Sequence, residues 1–101
     1  MKVYISGPIT GYPNGNAEAF GDAEDSIRWS GHEPVNPHKL THDHGKTWAE
    51  FMREDIKALL DCQAIFMLKG WWHSKGAVIE NKLAQELGII LIDSVVDIPK
   101  P

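Results

Sequence analysis

Residues 68–87, LKGWWHSKGAVIENKLAQEL, predict the end of a strand, a short aromatic loop and a helix in succession. The apolar run leading into this stretch stops at Gly70, and a pattern with helical spacing begins directly behind Ser74. Serine is favoured at the residue that caps a helix N-terminus. The first amides of such a helix, those of residues 75–77, lack partners within it, so an anion such as a phosphate can bind there, and Gly76 lets it approach closely.

Glu80 falls on the face of this helix that is expected to pack against the protein. At 100° per residue, one arc carries Ala77, Leu83, Ala84 and Leu87, with Ile79 at its edge and Glu80 inside it. An ionised carboxylate without partners costs several kcal/mol in such a setting. Stabilisation by the helix dipole or a backbone hydrogen bond is one interpretation, but the dipole would act equally on the solvent face. A chemical role is the interpretation we favour.

Length and composition limit the class of protein. The 101 residues, 43% of them hydrophobic, predict one domain, 1–101, with a single core. A net charge of −4 without a run of basic residues argues against a nucleic-acid polymer as partner, although a free nucleotide remains possible. The one cysteine, Cys62, lies among apolar residues and is expected in the core. The sequence predicts neither a signal peptide nor a membrane span, so we expect a cytoplasmic protein.

The first part of the chain predicts a strand, a loop, a helix and an edge strand. Residues 3–6 form a β-prone run that stops at the glycine-bearing loop 7–11, GPITG. On spacing alone, such a loop is more often an ordinary turn than a phosphate cradle. A helix is predicted for residues 17–29 and should end at Gly31. Residues 33–35 follow as a weak strand, which Pro34 restricts to a sheet edge or a strand start.

A polar loop over residues 36–46 carries three of the five histidines. Its side chains His38, His42, Asp43 and His44 are of the types that bind metals. Structural zinc sites usually show a paired ligand spacing on firm elements, and this loop lacks it. We therefore expect a mobile flap over the site and no metal or other cofactor.

A second acidic residue lies on a core-facing helix stripe. Thr47 and Glu50 form a capping box, so a helix begins there and runs to about Leu60. Its apolar face consists of Trp48, Phe51, Met52 and Leu59, and Asp55 lies in the middle of that face. A salt bridge to Arg28, Arg53 or Lys57 would be a structural explanation of Asp55. The other is that two carboxylates line one pocket, as acid and nucleophile chemistry on a glycosidic bond requires.

The order of the elements predicts the fold. Residues 64–68 and 89–92 are continuous apolar runs, which are typical of strands buried on both faces of a parallel sheet. The order βαβαβαβ predicts a three-layer α/β sandwich of the Rossmann or flavodoxin-like kind, with helices on both faces of a four-stranded parallel sheet of order 2-1-3-4. Ligands bind such sheets at the carboxyl ends of the strands. The tail, 93–101, shows no periodicity and is interpreted as an arm or a frayed end.

These motifs resemble the nucleoside 2-deoxyribosyltransferase superfamily, in particular its small, often phage-borne members. The resemblance rests on YISGPITG at residues 4–11, on Asp55, on Gly70-Trp71 and on the pattern Ser74-x-Gly76-Ala77-x-x-Glu80. It implies that Glu80 is the nucleophile that attacks C1′ of 2-deoxyribose and forms a covalent glycosyl-enzyme. It also implies that Asp55 positions the sugar or assists proton transfer, and that Tyr4 orients the nucleophile.

The same resemblance implies a nucleotide substrate. Transferases of free nucleosides carry an acid six positions before the nucleophile, where this chain has Ser74. The related 2′-deoxynucleoside 5′-monophosphate N-hydrolases have a serine there, which helps to bind the 5′-phosphate. We therefore expect cleavage or base exchange at the N-glycosidic bond of a 2′-deoxynucleoside 5′-monophosphate. The alternative is a nucleotide-binding protein without catalysis, a sensor or sequestering module.

The expected substrate-binding residues are Gly7, Pro8, Ile9, Thr10, Gly11, Gly70, Trp71, Ser74, Lys75 and Gly76. The chain departs from those hydrolases at Thr10, where they carry a phosphate-binding arginine, and Lys75 or Lys69 is the candidate replacement. Ser94 is the candidate for a residue that a second subunit contributes in those hydrolases. A homodimer is expected, since a small core does not readily hide four tryptophans. Trp71 and Trp72 form either a stacking wall for the base or part of the dimer contact.

Overall fold

The computed structural model describes residues 1–40 and 47–101 of the chain. Strands and helices alternate along it, as the apolar runs predict. The elements are β1 (Lys2–Ser6), α1 (Ala17–Trp29), β2 (Glu33–Val35), α2 (Trp48–Leu60), β3 (Ala64–Met67), α3 (Lys75–Glu86) and β4 (Ile90–Ile92). Short 3-10 turns lie at Pro13–Asn16, Pro37–Lys39, Trp71–His73 and Val95–Asp97.

The strands form a four-stranded parallel sheet in the order β2-β1-β3-β4, which confirms the predicted topology. Alternate residues of β1 point to opposite faces of the sheet, as the pleat requires. Val3 and Ile5 pack with Phe20 and Ile27 of α1 on one face, whereas Tyr4 packs on the other, where the core also includes side chains of α2 and α3. The molecule is therefore the three-layer α/β sandwich that the sequence predicts. Cys62 belongs to this second core and is buried, as expected.

The helix boundaries follow local signals in the sequence. Thr47 and Glu50 make the reciprocal hydrogen bonds of a capping box at the start of α2, and Ser74 caps α3. Gly31, which follows α1, has a φ of +88°, a conformation that favours glycine. Pro34 lies in β2, at the edge of the sheet, as its missing amide proton requires.

The predicted burial of the last strand on both faces is wrong. Ile90 and Leu91 are 47% and 45% exposed, and only Ile92 of β4 is buried. Because β4 is the other edge of the sheet, neighbours cover it less completely than they cover β3. An apolar run indicates a strand, but it does not distinguish a central strand from an edge strand.

The tail is neither a free arm nor a frayed end. Ile98 is 8% exposed and belongs to the core on the α1 side of the sheet. The terminal amine of Met1 donates to Nδ1 of His32, and Nε2 of the same ring donates to the carbonyl of Pro99. One buried apolar side chain and one hydrogen bond hold this segment, and neither produces a periodic pattern in the sequence. Among the described residues, no helix has the length and apolar character needed to cross a membrane.

Candidate active site

Glu80 is a buried carboxylate whose two oxygens both accept hydrogen bonds from hydroxyl groups. The Tyr4 hydroxyl donates to Oε2 at 2.6 Å, and the Ser6 hydroxyl donates to Oε1 at 2.7 Å. Glu80 is 5% exposed, and its two partners are 0% and 1% exposed. Such short distances are typical of hydrogen bonds to an ionised carboxylate. The orientation of the carboxylate is thus defined by two donors.

The fold brings these three side chains together in a simple way. Tyr4 and Ser6 are two residues apart on β1, so both side chains leave the same face of the sheet. Glu80 lies in the second turn of α3, on the stripe that also contains Ala77 and Ala84 and packs on that face. Strand β1 is paired on both sides, with β2 and β3, which holds its backbone in place.

The surroundings of Glu80 favour its neutral form more than water would. Burial raises the pKa of Glu80 to about 7, although the hydrogen bonds from Tyr4 and Ser6 act in the opposite direction. The negative charge of Asp55 raises this pKa further. The pKa of Tyr4 is raised well above its usual value, first by burial and then by the charges of Glu80 and Asp55, so its hydroxyl stays a donor. At neutral pH, Glu80 therefore exists in both charge states.

A cavity of about 370 Å³ opens beside Glu80 and also contains Asp55. The structure thus brings the two predicted acids, one from α2 and one from α3, to a single cavity. Its lining is otherwise rich in apolar and aromatic groups, which suits a flat, partly apolar ligand. The described lining residues are Tyr4, Ile5, Ser6, Gly7, Ile9, Thr10, Phe20, Pro37, His38, Trp48, Phe51, Met52, Asp55, Ser74, Gly76, Ala77 and Glu80.

Half of the expected substrate-binding residues lie in this lining. Gly7, Ile9, Thr10, Ser74 and Gly76 contribute to it, whereas Pro8, Gly11, Gly70, Trp71 and Lys75 do not. Gly70 and the exposed Trp72 border a separate groove on the other side of the sheet, together with Tyr12. Trp71 is half-buried and packs against the core that contains Tyr4.

The start of α3 differs in detail from the prediction. The Ser74 hydroxyl accepts from the amide of Ala77 at 3.2 Å, so this amide is not available to an anion. The amides of Lys75 and Gly76 have no acceptor among the described residues. A Cβ at Gly76 would lie 3.0 Å from Sδ of Met52, so a larger residue there would make the Met52 side chain of α2 shift by a few tenths of an ångström.

Lys75 lies at the rim of the cavity rather than in its lining. Its Nζ is 4.4 Å from the ring centroid of Trp48, a cation–π contact between the first residues of α3 and α2. Trp48 does line the cavity. A cation is therefore held close to the cavity entrance.

The histidine loop is described only in part, because His42, Asp43 and His44 lie outside the described residues. The expected flap and the alternative metal site both fall on that segment. His38 is described: its Nε2 is 2.8 Å from the carbonyl of Gly15, and its ring contacts the ring of Phe20 edge-on. Within the described ranges, no group of three potential metal ligands comes together.

A second buried glutamate, Glu24 of α1, lies outside the cavity lining. It is also 5% exposed, but its oxygens accept from Lys39 at 2.7 Å, from Arg28 at 3.2 Å and from Asn36 at 3.2 Å. The hydrogen bond from Lys39 is the main cause of a lowered pKa of Glu24, and burial opposes it.

Sequence reasoning missed Ser6 as a partner of Glu80. The signal was present: the β-prone run places Tyr4 and Ser6 on one face by the period of two. It also missed the aromatic ring of Phe20, which α1 contributes to the cavity.

Comparisons with known proteins place the chain in a family and show the fold that it shares with solved structures. The model of the family described as Domain of unknown function (DUF4406) matches residues 1–93. No curated protein matches the chain by sequence. A solved 2-deoxyribosyltransferase from Bacillus psychrosaccharolyticus, described as a biocatalyst for nucleoside synthesis, superposes with a TM-score of 0.72 at 18% identity, covering 90% of this chain and 69% of that one.

A second solved structure, the 2-desoxiribosyltransferase from Leishmania mexicana, superposes with a TM-score of 0.66 at 22% identity. The match covers 89% of this chain and 61% of the Leishmania chain. At these identities the likeness establishes the fold. At the level of the fold, it confirms the resemblance inferred from the motifs. The chain spans about two thirds of the length of each structure.

Proposed function

The chain belongs to the DUF4406 family, and we propose that it cleaves or exchanges the N-glycosidic bond of a 2′-deoxynucleoside 5′-monophosphate. The observation that carries the proposal is the Glu80 carboxylate, which is buried, held by two hydroxyls and turned to a cavity shared with Asp55. Hydroxyl groups hold a carboxylate in place without compensating its negative charge, whereas a cation would compensate it. The ionised form of Glu80, which is present at neutral pH, therefore supplies the charge that a nucleophile needs.

The proposed reaction has two displacement steps at C1′ of the sugar. In the first, an oxygen of Glu80 attacks C1′ while the bond from C1′ to the base nitrogen breaks, and the bonding electron pair leaves with the base, which takes up a proton. This forms an ester between Glu80 and deoxyribose. In the second step, another base or a water molecule, which gives up a proton, attacks C1′, and the carboxylate of Glu80 departs. Hydrolysis and base exchange differ only in the second acceptor.

Two further side chains have roles in this proposal. Tyr4 holds Oε2 of Glu80 and, since it stays protonated, orients the carboxylate throughout the cycle. Asp55 reaches the same cavity from α2 and is proposed to position the sugar or assist proton transfer to the leaving base. The aromatic side chains of Phe20, Trp48 and Phe51 suit the base.

The 5′-phosphate is proposed to bind at the start of α3, beside the cavity. The support is the Ser74 hydroxyl, the amides of Lys75 and Gly76, and the ammonium group of Lys75 held over Trp48. One or two charge-assisted hydrogen bonds are worth about 1–3 kcal/mol in binding. We therefore expect a monophosphate to bind more tightly than the matching nucleoside by that amount.

An uncharged nucleoside is a second candidate substrate for the same chemistry. The observation that favours it is the cavity lining, which among the described residues contains neither lysine nor arginine and has Thr10 in the first loop. A phosphate would then lack the arginine that the resemblance leads one to expect.

The decisive experiment follows free base release from the common 2′-deoxynucleoside 5′-monophosphates and from the matching nucleosides. We expect release from a monophosphate, its loss in Glu80→Gln, and a weaker preference for the phosphate in Ser74→Asp, which places a negative charge against it. Equal affinity of nucleoside and monophosphate for the unmodified protein would remove the phosphate assignment. Binding of nucleotides without any base release would identify a non-catalytic nucleotide-binding protein instead.

A further inference from the structure

Of the two hydroxyls that hold Glu80, only that of Tyr4 is given a separate role in the reaction proposed above, yet the Ser6 hydroxyl contacts the proposed nucleophile just as directly. The donor–acceptor distance to Oε1 of Glu80 is 2.7 Å, close to the 2.6 Å from Tyr4 to the other oxygen. Ser6 is 1% exposed and is the last residue of β1, next to the loop whose Gly7, Ile9 and Thr10 line the cavity. A buried hydroxyl so close to a carboxylate calls for a functional interpretation.

We propose that Ser6 is a positioning residue that, together with Tyr4, holds the carboxylate of Glu80 in the orientation and charge state needed for attack on the sugar carbon. This inference rests on the proposed function of Glu80 and adds a second determinant to it. Ser6 does not touch the reacting atoms of the sugar in this proposal. It acts through Glu80.

The orientation argument follows from the rotation that a glutamate retains. The terminal torsion of glutamate is broad and roughly two-fold, so a hydrogen bond to one oxygen leaves the carboxylate able to swing about that contact. A second donor on the other oxygen removes this freedom. Both donors come from one strand that is paired on two sides, so their spacing is set by the sheet. Fixing a nucleophile before the substrate arrives lowers the entropy cost of reaching the transition state.

The charge argument follows from the balance around Glu80. Among the described residues, the groups that act on its charge are Tyr4 and Ser6 from β1 and Asp55 from α2, and His38 lines the same cavity from the segment behind β2. Burial and Asp55 favour the neutral acid, whereas the two hydroxyls favour the carboxylate. Loss of the Ser6 hydroxyl leaves one donor, so the pKa of Glu80 rises from about 7. A smaller fraction of the protein then carries the nucleophile at neutral pH.

The test uses Ser6→Ala, with Ser30→Ala as matched control, because the Ser30 hydroxyl donates to the carbonyl of Ser26 at the end of α1, away from the cavity. The first readout is kcat/KM for base release as a function of pH. In Ser6→Ala we expect the acidic limb to move to higher pH, so that the loss is greatest near about pH 6 and shrinks several-fold by about pH 9. Ser30→Ala should superimpose on the unmodified protein. A loss that is the same at every pH, or no loss, overturns the inference.

The second readout is the titration of the Glu80 side-chain carboxyl carbon by ¹³C NMR, which needs no catalysis. Its midpoint should rise in Ser6→Ala, rise less in Ser6→Cys, whose thiol is a weaker donor of similar size, and stay unchanged in Ser30→Ala. An unchanged midpoint in Ser6→Ala overturns the role of Ser6, even if the protein is an active enzyme. A raised midpoint in a chain that releases no base supports the contact and overturns the proposed reaction instead.

Discussion

Glu24 and Glu80 are buried to the same extent, 5% exposed each, but in opposite electrostatic settings. Glu24 accepts from Lys39, Arg28 and Asn36, and its pKa is lowered, mainly by Lys39. Glu80 accepts from two neutral hydroxyls, lies near Asp55, and burial raises its pKa to about 7. Burial alone therefore does not determine what a carboxylate does in this fold, whereas its partners do.

Under the proposed function, the contrast separates a structural acid, Glu24, from a catalytic one, Glu80. Lys39 connects Glu24 of α1 to the turn Pro37–Lys39, whereas Arg28 pairs with Glu24 within α1, so the ion pair with Lys39 holds two segments together. The partners of Glu80 are neutral, so among the described residues no cation compensates its negative charge beside the cavity. This charge lowers the stability of the fold but remains available for a reaction. Strongly perturbed carboxyl groups in clefts are frequent at functional sites for this reason.

The largest predicted effect on stability is a gain upon removal of the Glu80 charge. Because the folded protein holds the proton of Glu80 more tightly than the unfolded chain, this residue lowers stability as the pH rises from about 4.5 to about 7. A shift of that size corresponds to about 3 kcal/mol above pH 7. Glu80→Gln keeps the shape and can still accept from Tyr4, so it should raise the free energy of unfolding by up to this amount at about pH 8.

Urea unfolding of Glu80→Gln and the unmodified protein at several pH values measures this gain. The difference should be largest above pH 7 and vanish below about pH 4.5, where the carboxyl is neutral in both states. A variant that is less stable at pH 8 would show that the carboxylate is a stabilising group like Glu24, and the contrast would be lost.

The second prediction has the opposite sign. Glu24→Gln removes the charge that Lys39 and Arg28 contact and should lower the free energy of unfolding by about 2 kcal/mol at neutral pH. Both cations are largely exposed, so solvent screening keeps the effect below that of a fully buried pair. Because the pKa of Glu24 is lowered, its contribution is present above its unfolded pKa of about 4.5 and is lost as the pH falls through the folded value. Thermal unfolding at neutral and acidic pH measures both parts, and a stabilised variant would contradict the assignment.

The smallest predicted effect comes from the neighbour of Glu80. Since the charge of Asp55 is among the causes of the raised pKa of Glu80, Asp55→Asn should lower that pKa and move the acidic limb of kcat/KM to lower pH. Turnover should also fall, by less than in Glu80→Gln. If Asp55→Asn only lowers the melting temperature and leaves the pH profile of base release unchanged, Asp55 is a structural residue.

Most of the fold could be predicted because particular residues mark where its helices and strands begin or end. The capping box at Thr47 and the serine cap at Ser74 mark helix starts through local hydrogen bonds, which the sequence encodes directly. Pro34 marks β2 as an edge strand because it has no amide proton to donate. The exposure of β4 and the docking of Ile98 depend on which elements lie beside them in space. The periodicity of apolar residues along the chain carries no information on these spatial neighbours.

The site was predictable to the extent that helical geometry determines it. Glu80 and Asp55 could be placed on core-facing stripes from their spacing alone. Predicting the contact of Ser6 with Glu80 needed the additional step of combining the strand period with the helix that packs on it. The contact of Glu24 with Lys39 spans 15 residues across a strand and a turn. The contact between Lys39 and Glu24 is not a helical i, i+4 pair, unlike the contact between Arg28 and Glu24. It therefore cannot be predicted from local sequence spacing.

Base release by the unmodified protein, Glu80→Gln and Glu24→Gln tests the account most directly, measured with the preferred deoxynucleotide where all three are folded. We predict that Glu80→Gln loses activity about a thousandfold or more although it is the most stable of the three. Glu24→Gln should retain activity within a few-fold although it is the least stable. Normal turnover by Glu80→Gln, or an equal loss in both variants, would contradict the claim that Glu80 is the functional carboxylate and Glu24 the structural one.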